Sequence, residues 1–238
     1  MRLDAETGEL TASEVAAFVT ANALVTVRKD EGFDIGEVLA RWDAVPRANR
    51  RGVGFLLHGL LDFVVDGQFE TVERLDEEIE ALETTLFEDK PREDMERRTF
   101  ELRKSLVTLR RYVFPMRDVV TTVMRPDAGM VDTELRPYYE DVHDHVLRAT
   151  EWIESLRDLV ATVRETHLTL QGNRLNIIMK QVTSWAAIIA VPTAVTGFYG
   201  QNVPYPGFSH LSGFWESTVI MIVLSIALFV LFRRRNWL

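Results

Sequence analysis

Glu151, Glu154, Asp158, Thr162, Glu165, Thr169, Gly172 and Asn176 recur at steps of three and four residues, and Thr193, Gly200, Gln201 and Asn202 follow further along. On a helix turning about 100° per residue, the first eight fall within roughly 40° of Asn176. Arg148, Arg157, Arg164 and Arg174 fall elsewhere, so one polar, mostly acidic track without a basic residue leads to Asn176. Such a track draws cations, or it is a plain solvated face. Beyond it the donors are neutral oxygens: the side chains of Asn176, Thr193 and Asn202 and the backbone carbonyls around Gly200. They suit a hydrated divalent cation, because Mg²⁺ prefers oxygen ligands and gives up its water reluctantly. Gly200-Gln201-Asn202 is equally an ordinary turn, since Gly and Asn are common turn formers.

Other chemistry finds little footing. Cysteine is absent, which removes disulfides, thiolate zinc sites and thiol nucleophiles. His143 and His145 stand near Asp141 and Asp144, but two residues two apart on a helix point away from each other, so structural or surface roles fit them better than a shared ion. No nucleotide-binding glycine loop, nucleophile elbow or His-Glu zinc motif is present, and an enzyme reading has no support. A formal net charge of −9 argues against nucleic acid as a partner and for attraction of cations.

The elements that must position the oxygens are two apolar runs. Val182 to Tyr199 carries no charged residue; at 1.5 Å per residue it spans roughly 27 Å, close to the ~30 Å core of a bilayer. Pro204, Pro206, Gly207 and Gly213 make a tight connection. Phe214 to Phe232 follows, with Glu216 near its start as the single formal charge. Arg174 and Lys180 precede the first run and Arg233, Arg234 and Arg235 follow the second. The positive-inside bias therefore puts both chain ends in the cytoplasm and the Gly-Gln-Asn loop outside. The first run is rich in small and polar residues (Thr183, Ser184, Ala186, Ala187, Ala190, Thr193, Ala194, Gly197), whereas the second is large and aliphatic. Small residues pack helices closely or line a water path, and large aliphatics face lipid. One copy cannot surround a pore, so a pore requires a homo-oligomer with its axis along the first run.

Upstream, residues 1 to about 12 read as a lead-in without an apolar signal core, so membrane insertion falls to the C-terminal runs. Val15–Val19 and Leu24–Val27 suit a β-hairpin turning at Thr20-Ala21-Asn22, and Asp34 caps a short helix through Trp42 that Pro46 closes. Two strands and a helix look like the remnant of an α/β domain. Apolar residues at three- and four-residue steps predict a helix from Gly54 to about Asp89, its outer face carrying Glu70, Glu73, Asp76, Glu77, Glu78, Glu80 and Glu83. That face is a solvated surface or a divalent-ion sensing one. Lys90-Pro91 breaks the pattern, a second helix runs from about Arg92 to Val123, and Arg125-Pro126-Asp127-Ala128-Gly129 forms a loop. A third helix runs from Thr133 through the first apolar run, with Val146, Ala149, Ile153, Leu156, Val160, Val163, His167 and Leu170 as a heptad-like seam.

These residues resemble the CorA family of magnesium and cobalt transporters. The features shared are Asn176-x-x-Met179-Lys180, a proline-bearing first span, Tyr199-Gly200-x-Asn202, a short external loop and a basic tail ending Asn236-Trp237-Leu238; weaker likeness extends up to about Leu10. The resemblance implies a mainly α membrane protein, a homopentameric funnel in which a long stalk helix is continuous with the first span. The implied parts are a partial cytoplasmic α/β domain (1–50), an acidic helical hairpin (51–130), a stalk helix (131–181) and a two-span pore domain (182–238). It implies a selectivity filter at Gly200, Gln201 and Asn202, and a conduction path along Asn176, Met179, Val182, Ala186, Ala190, Thr193 and Gly197, with Met179 and Val182 as the apolar constriction. Glu165, with Asp158 on the same track, would be a regulatory metal site. Mg²⁺ is then the transported and regulatory ion, with Co²⁺ or Ni²⁺ as further candidates, in a prokaryotic plasma membrane. Gln201 stands where the family more often has Met, and the N-terminal domain looks shorter than usual. Zinc transport, or a non-conducting membrane-anchored fragment that modulates a full-length paralogue, are the alternative expectations.

Overall fold

The Asp34 carboxylate accepts a hydrogen bond from the Gly36 N–H at 2.8 Å, satisfying one of the donors that the first turn of a helix leaves unpaired. The helix it starts, α1, runs Ile35–Ala44, as the capping signal predicts. A computed structural model describes residues 2–3, 10–44, 52–86, 94–201, 204–205, 208 and 210–238. Its strands are β1 (Arg2–Leu3), β2 (Leu10–Thr11), β3 (Val15–Val19) and β4 (Leu24–Arg28), and its further helices are α2 (Gly52–Leu86), α3 (Met95–Val123), α4 (Arg136–Tyr199) and α5 (Leu211–Arg234). Two compact units are formed, Met1–Glu165 and Thr166–Leu238.

In the first unit β3 and β4 pair antiparallel with Val19 opposite Leu24 and Val15 opposite Arg28. The reversal is closed at Thr20, whose N–H donates to the Ala23 carbonyl and whose Oγ1 accepts from the Ala23 N–H. A second antiparallel pair, Arg2 with Thr11 and Leu3 with Leu10, stands within what reads from the sequence as a lead-in. Two-residue strands carry no period to recognise.

α2 and α3 are the expected long hairpin; α2 begins two residues before the predicted Gly54 and α3 ends at the predicted Val123, and Arg98 of α3 meets Glu78 of α2 at 3.3 Å. The Lys90-Pro91 break and Pro46 lie outside the described residues. Residues Leu75, Ile79, Leu106, Leu109 and Ile153 are fully buried, and transfer of each such side chain from water contributes about 1.5–3 kcal/mol. The seam of α4 supplies the third side of this core: Tyr139, Val142, Val146, Ala149, Ile153, Leu156, Val160 and Val163 are all buried against α2 and α3. Burial pushes the Tyr139 phenol up, and its hydroxyl donates to the Gly54 carbonyl at 2.8 Å. Gly54 itself has no room for a side chain, since a Cβ there would lie 2.3 Å from the Met130 carbonyl oxygen.

In the second unit the end of α4 and the whole of α5 are long and apolar enough to cross a membrane. Trp185 of α4 faces Phe229 of α5 with ring centroids 6.4 Å apart. α5 turns inward a row spaced by three and four residues: Gly213, Ser217, Met221, Ser225, Leu228 and Phe232. Outside that row Val219, Ile222, Val223, Ile226 and Leu231 are exposed, which fits large aliphatics turned to lipid. Asn236 adopts a left-handed φ of 54°. It allows the Trp237 N–H to reach the Phe232 carbonyl and the Asn236 N–H the Arg233 carbonyl. This is the helix-ending pattern in which Gly or Asn takes the left-handed position, and the apolar contact that usually accompanies it is the stacked Phe232–Trp237 pair.

Candidate functional site

Within the second unit the seven residues expected along a conduction path share one side of α4. At about 100° per residue, Asn176, Met179, Val182, Ala186, Ala190, Thr193 and Gly197 fall in a sector of about 120°. All seven are exposed, and the two largest apolar ones, Met179 at 65% and Val182 at 63%, are among the most exposed apolar residues of the chain. The other side of the helix is the covered one: Ser184 is fully buried, and Ala187, Ile188, Val191 and Val195 are half-buried. α5 therefore covers the face of α4 that carries none of these candidates.

The polar groups on this helix are disposed as acceptors. Thr193 Oγ1 donates to the Ile189 carbonyl at 3.2 Å, and Thr196 Oγ1 donates to Pro192 at 2.8 Å. With its single proton turned to the backbone, the Thr193 oxygen presents only lone pairs outward, the polarity that the hydrogens of an ion's water shell require. Pro192 has no N–H, so the Ile188 carbonyl lacks its usual helical donor.

α4 ends at Tyr199, and the Gly200 N–H closes the last turn on the Thr196 carbonyl at 2.8 Å. A Cβ on Gly200 would lie 2.9 Å from that same oxygen, so glycine is required here by close approach of backbone to backbone. The sequence reading, which valued this residue for its carbonyl, has no signal for that contact. Gln201 is exposed after the helix end. Asn202 lies outside the described residues, as do Pro206 and Gly207. Around the helix end Tyr199 and Tyr205 meet edge to face, 5.0 Å apart, and Phe208 packs on Tyr205 at 5.3 Å.

The acidic track departs from its sequence reading at Glu154. Glu154 is held by Arg157 at 2.5 Å and by Arg110, which reaches it from α3. Helical geometry places arginines off the track but does not foresee a long side chain bending back from i+3 or a cation arriving from another helix. Glu151, Asp158, Thr162 and Glu165 are exposed on the first unit's part of α4. His143 lies 3.8 Å from Asp144 and His145 packs near Phe69. Among the described residues no group of three or more His, Asp and Glu is close enough to hold a metal ion.

A helical hairpin, a long helix running into an apolar segment and a second apolar helix with a basic end define a two-span membrane protein of a recognisable class. A family model described as CorA-like Mg²⁺ transporter protein matches residues 2–234, and the chain belongs to that family, a superfamily of divalent metal transporters. It is 30% identical over 233 residues to the cobalt/magnesium transport protein CorA of Thermotoga maritima, covering 97% of this chain and 66% of that one. The chain thus spans about two thirds of that relative's length. The zinc transport protein ZntB of Yersinia pseudotuberculosis is 26% identical, over 94% of this chain and 68% of its own. Among solved structures, the complete CorA magnesium transporter of Methanocaldococcus jannaschii superposes with a TM-score of 0.80 at 27% identity, covering 93% of this chain and 71% of that one.

Proposed function

We propose that this chain moves Mg²⁺ across a prokaryotic plasma membrane as a homo-oligomer, a pentamer, whose axis runs along the exposed side of α4. The observation that carries this reading is the uncovered face from Asn176 to Gly197, with small residues from Ala186 onward, opposite the face that α5 covers. Apolar, polar and glycine positions that a single chain leaves open are what copies around an axis would enclose. In this arrangement Gly200, Gln201 and Asn202 form the outer filter, Met179 and Val182 the apolar constriction, and Thr193 and Asn176 oxygen rings for a hydrated ion. Both termini lie in the cytoplasm, by the basic residues at Arg174, Lys180 and Arg233 to Arg235. Residues 1–50, 51–130 and 131–181 serve as cytoplasmic domain, hairpin and stalk, and 182–238 as the pore domain. Glu165 and Asp158 form a regulatory Mg²⁺ site on the stalk.

Co²⁺ or Ni²⁺ can share such a path, and zinc is the second reading, favoured by the likeness to ZntB. The purified chain in liposomes, loaded with a Mg²⁺ indicator, tests the proposal. Influx in wild type and its loss in Asn202→Ala are expected, and normal influx through that variant would remove the filter assignment. Zn²⁺ competing at lower concentration than Mg²⁺ favours the zinc reading. A chain that inserts but passes neither ion fits the role of a non-conducting modulator.

A further inference from the structure

Near the basic end of α5 the second unit holds a groove of about 450 Å³ lined by Gln181 and Trp185 of α4, Phe229 and Arg233 of α5, and Leu238. The helix ending at Asn236 builds its last wall: with Trp237 stacked on Phe232, the chain is turned back and Leu238 lines the groove. The groove has two chemistries. Arg233 offers a planar, two-pronged donor that matches a phosphate. Trp185, Phe229 and Leu238 offer an apolar wall, and Trp is the residue that settles at the level of lipid headgroups.

Charge points to the sign of the occupant. Residues 166–238 contain five Lys and Arg, at positions 174, 180, 233, 234 and 235, but one acidic side chain, Glu216. That acid lies about 25 Å from Arg233 along α5, at 1.5 Å per residue, and no described carboxylate side chain forms an ion pair with Arg233. A cation that pairs with no carboxylate side chain among the described residues, beside an aromatic wall at the end of two membrane-length helices, is a setting for an anionic lipid.

We infer that this groove binds one anionic phospholipid, its phosphate on Arg233 and Gln181 and the start of its acyl chains along Trp185 and Phe229. The inference rests on the reading of α4 and α5 as membrane spans. The phosphate binds where the groove opens to the interface, and the chains follow the exposed aliphatic surface of α5.

The test uses the full chain reconstituted with phosphatidylglycerol or phosphatidylcholine, released in mild detergent and weighed intact by native mass spectrometry. Wild type is expected to retain phosphatidylglycerol over phosphatidylcholine by about fivefold, the effect of one arginine near a lipid surface. Arg233→Gln should remove that preference, while Arg235→Gln should largely keep it. Equal loss in Arg235→Gln would mean diffuse attraction to the basic tail and overturn the site. Displacement by millimolar inorganic phosphate would mean an anion site without a lipid, and a change in oligomer size alone in Arg233→Gln would mean a contact between copies; either overturns the inference. A chain that floats with neither vesicle type overturns the membrane reading and this inference with it, whereas flotation with both and no preference overturns this inference alone.

Discussion

The backbone N–H of Gly200 lies 2.8 Å from the carbonyl oxygen of Thr196, and a methyl group on Gly200 would lie 2.9 Å from that oxygen. Real Cβ atoms essentially never come so close, and the clashing atom is backbone, so no side chain can swing aside to relieve it. Gly200→Ala must open the last turn of α4 and shift the loop that carries Gln201. Mg²⁺ uptake by magnesium-starved cells producing this variant should fall at least tenfold with the protein still in the membrane. Uptake at the wild-type level would separate this turn from the transport path.

Thr193 offers a cleaner chemical contrast. Thr193→Ser keeps the oxygen and its bond to the Ile189 carbonyl, whereas Thr193→Val keeps the shape and removes the oxygen. If the oxygen faces a hydrated ion, flux in liposomes should survive in the serine variant and drop several-fold in the valine variant. Equal flux in the two would place Thr193 against protein or lipid.

In the first unit, burial and then the neighbouring Asp66 raise the Asp62 carboxyl above its ordinary value, against smaller opposing effects that include Arg41. Arg41 itself is nearer Asp66, at 2.6 Å, than Asp62, at 3.6 Å. A carboxyl whose folded pKa is raised is destabilising when ionised, so its cost is present at neutral pH and is relieved as pH falls through the folded pKa. Asp62→Asn should therefore raise the unfolding temperature of the detergent-solubilised chain near pH 7. The gain should shrink as pH approaches the ordinary carboxylate range, and a gain that does not vary with pH would mean that packing, not charge, is responsible.

What the sequence discloses and what it withholds divide along a physical line. The α4 seam is legible because each residue reports the same buried direction every seven positions, and the Asp34 cap is legible because donor and acceptor are two residues apart. The Arg110–Glu154 pair joins residues on different helices, and the Gly200 contact depends on a few tenths of an ångström. Neither leaves a local pattern. The candidate path is intermediate: its exposed side on α4 follows from helical period alone, but that α5 covers the opposite side required coordinates. The Asn236 turn was present as an Asn-Trp pair after a basic run, and only the left-handed φ of 54° gives that pair its meaning.

The seam of α4 also acts as a screw thread. Its residues repeat strictly at seven, Tyr139, Val146, Ile153 and Val160 alternating with Val142, Ala149, Leu156 and Val163. A straight helix would turn such a repeat away from its neighbours by about 20° per heptad, roughly 70° over this length. Yet none of the eight is more than 3% exposed, so the seam stays covered over its whole length. Slipping α4 by one residue along that thread would bring Glu140, His143, Glu154, Arg157 and Arg164 into the seam, charged or polar groups with no water to meet. Within the first unit the seam thus fixes which face of the long helix the hairpin covers, because a step of one residue turns the helix by about 100°.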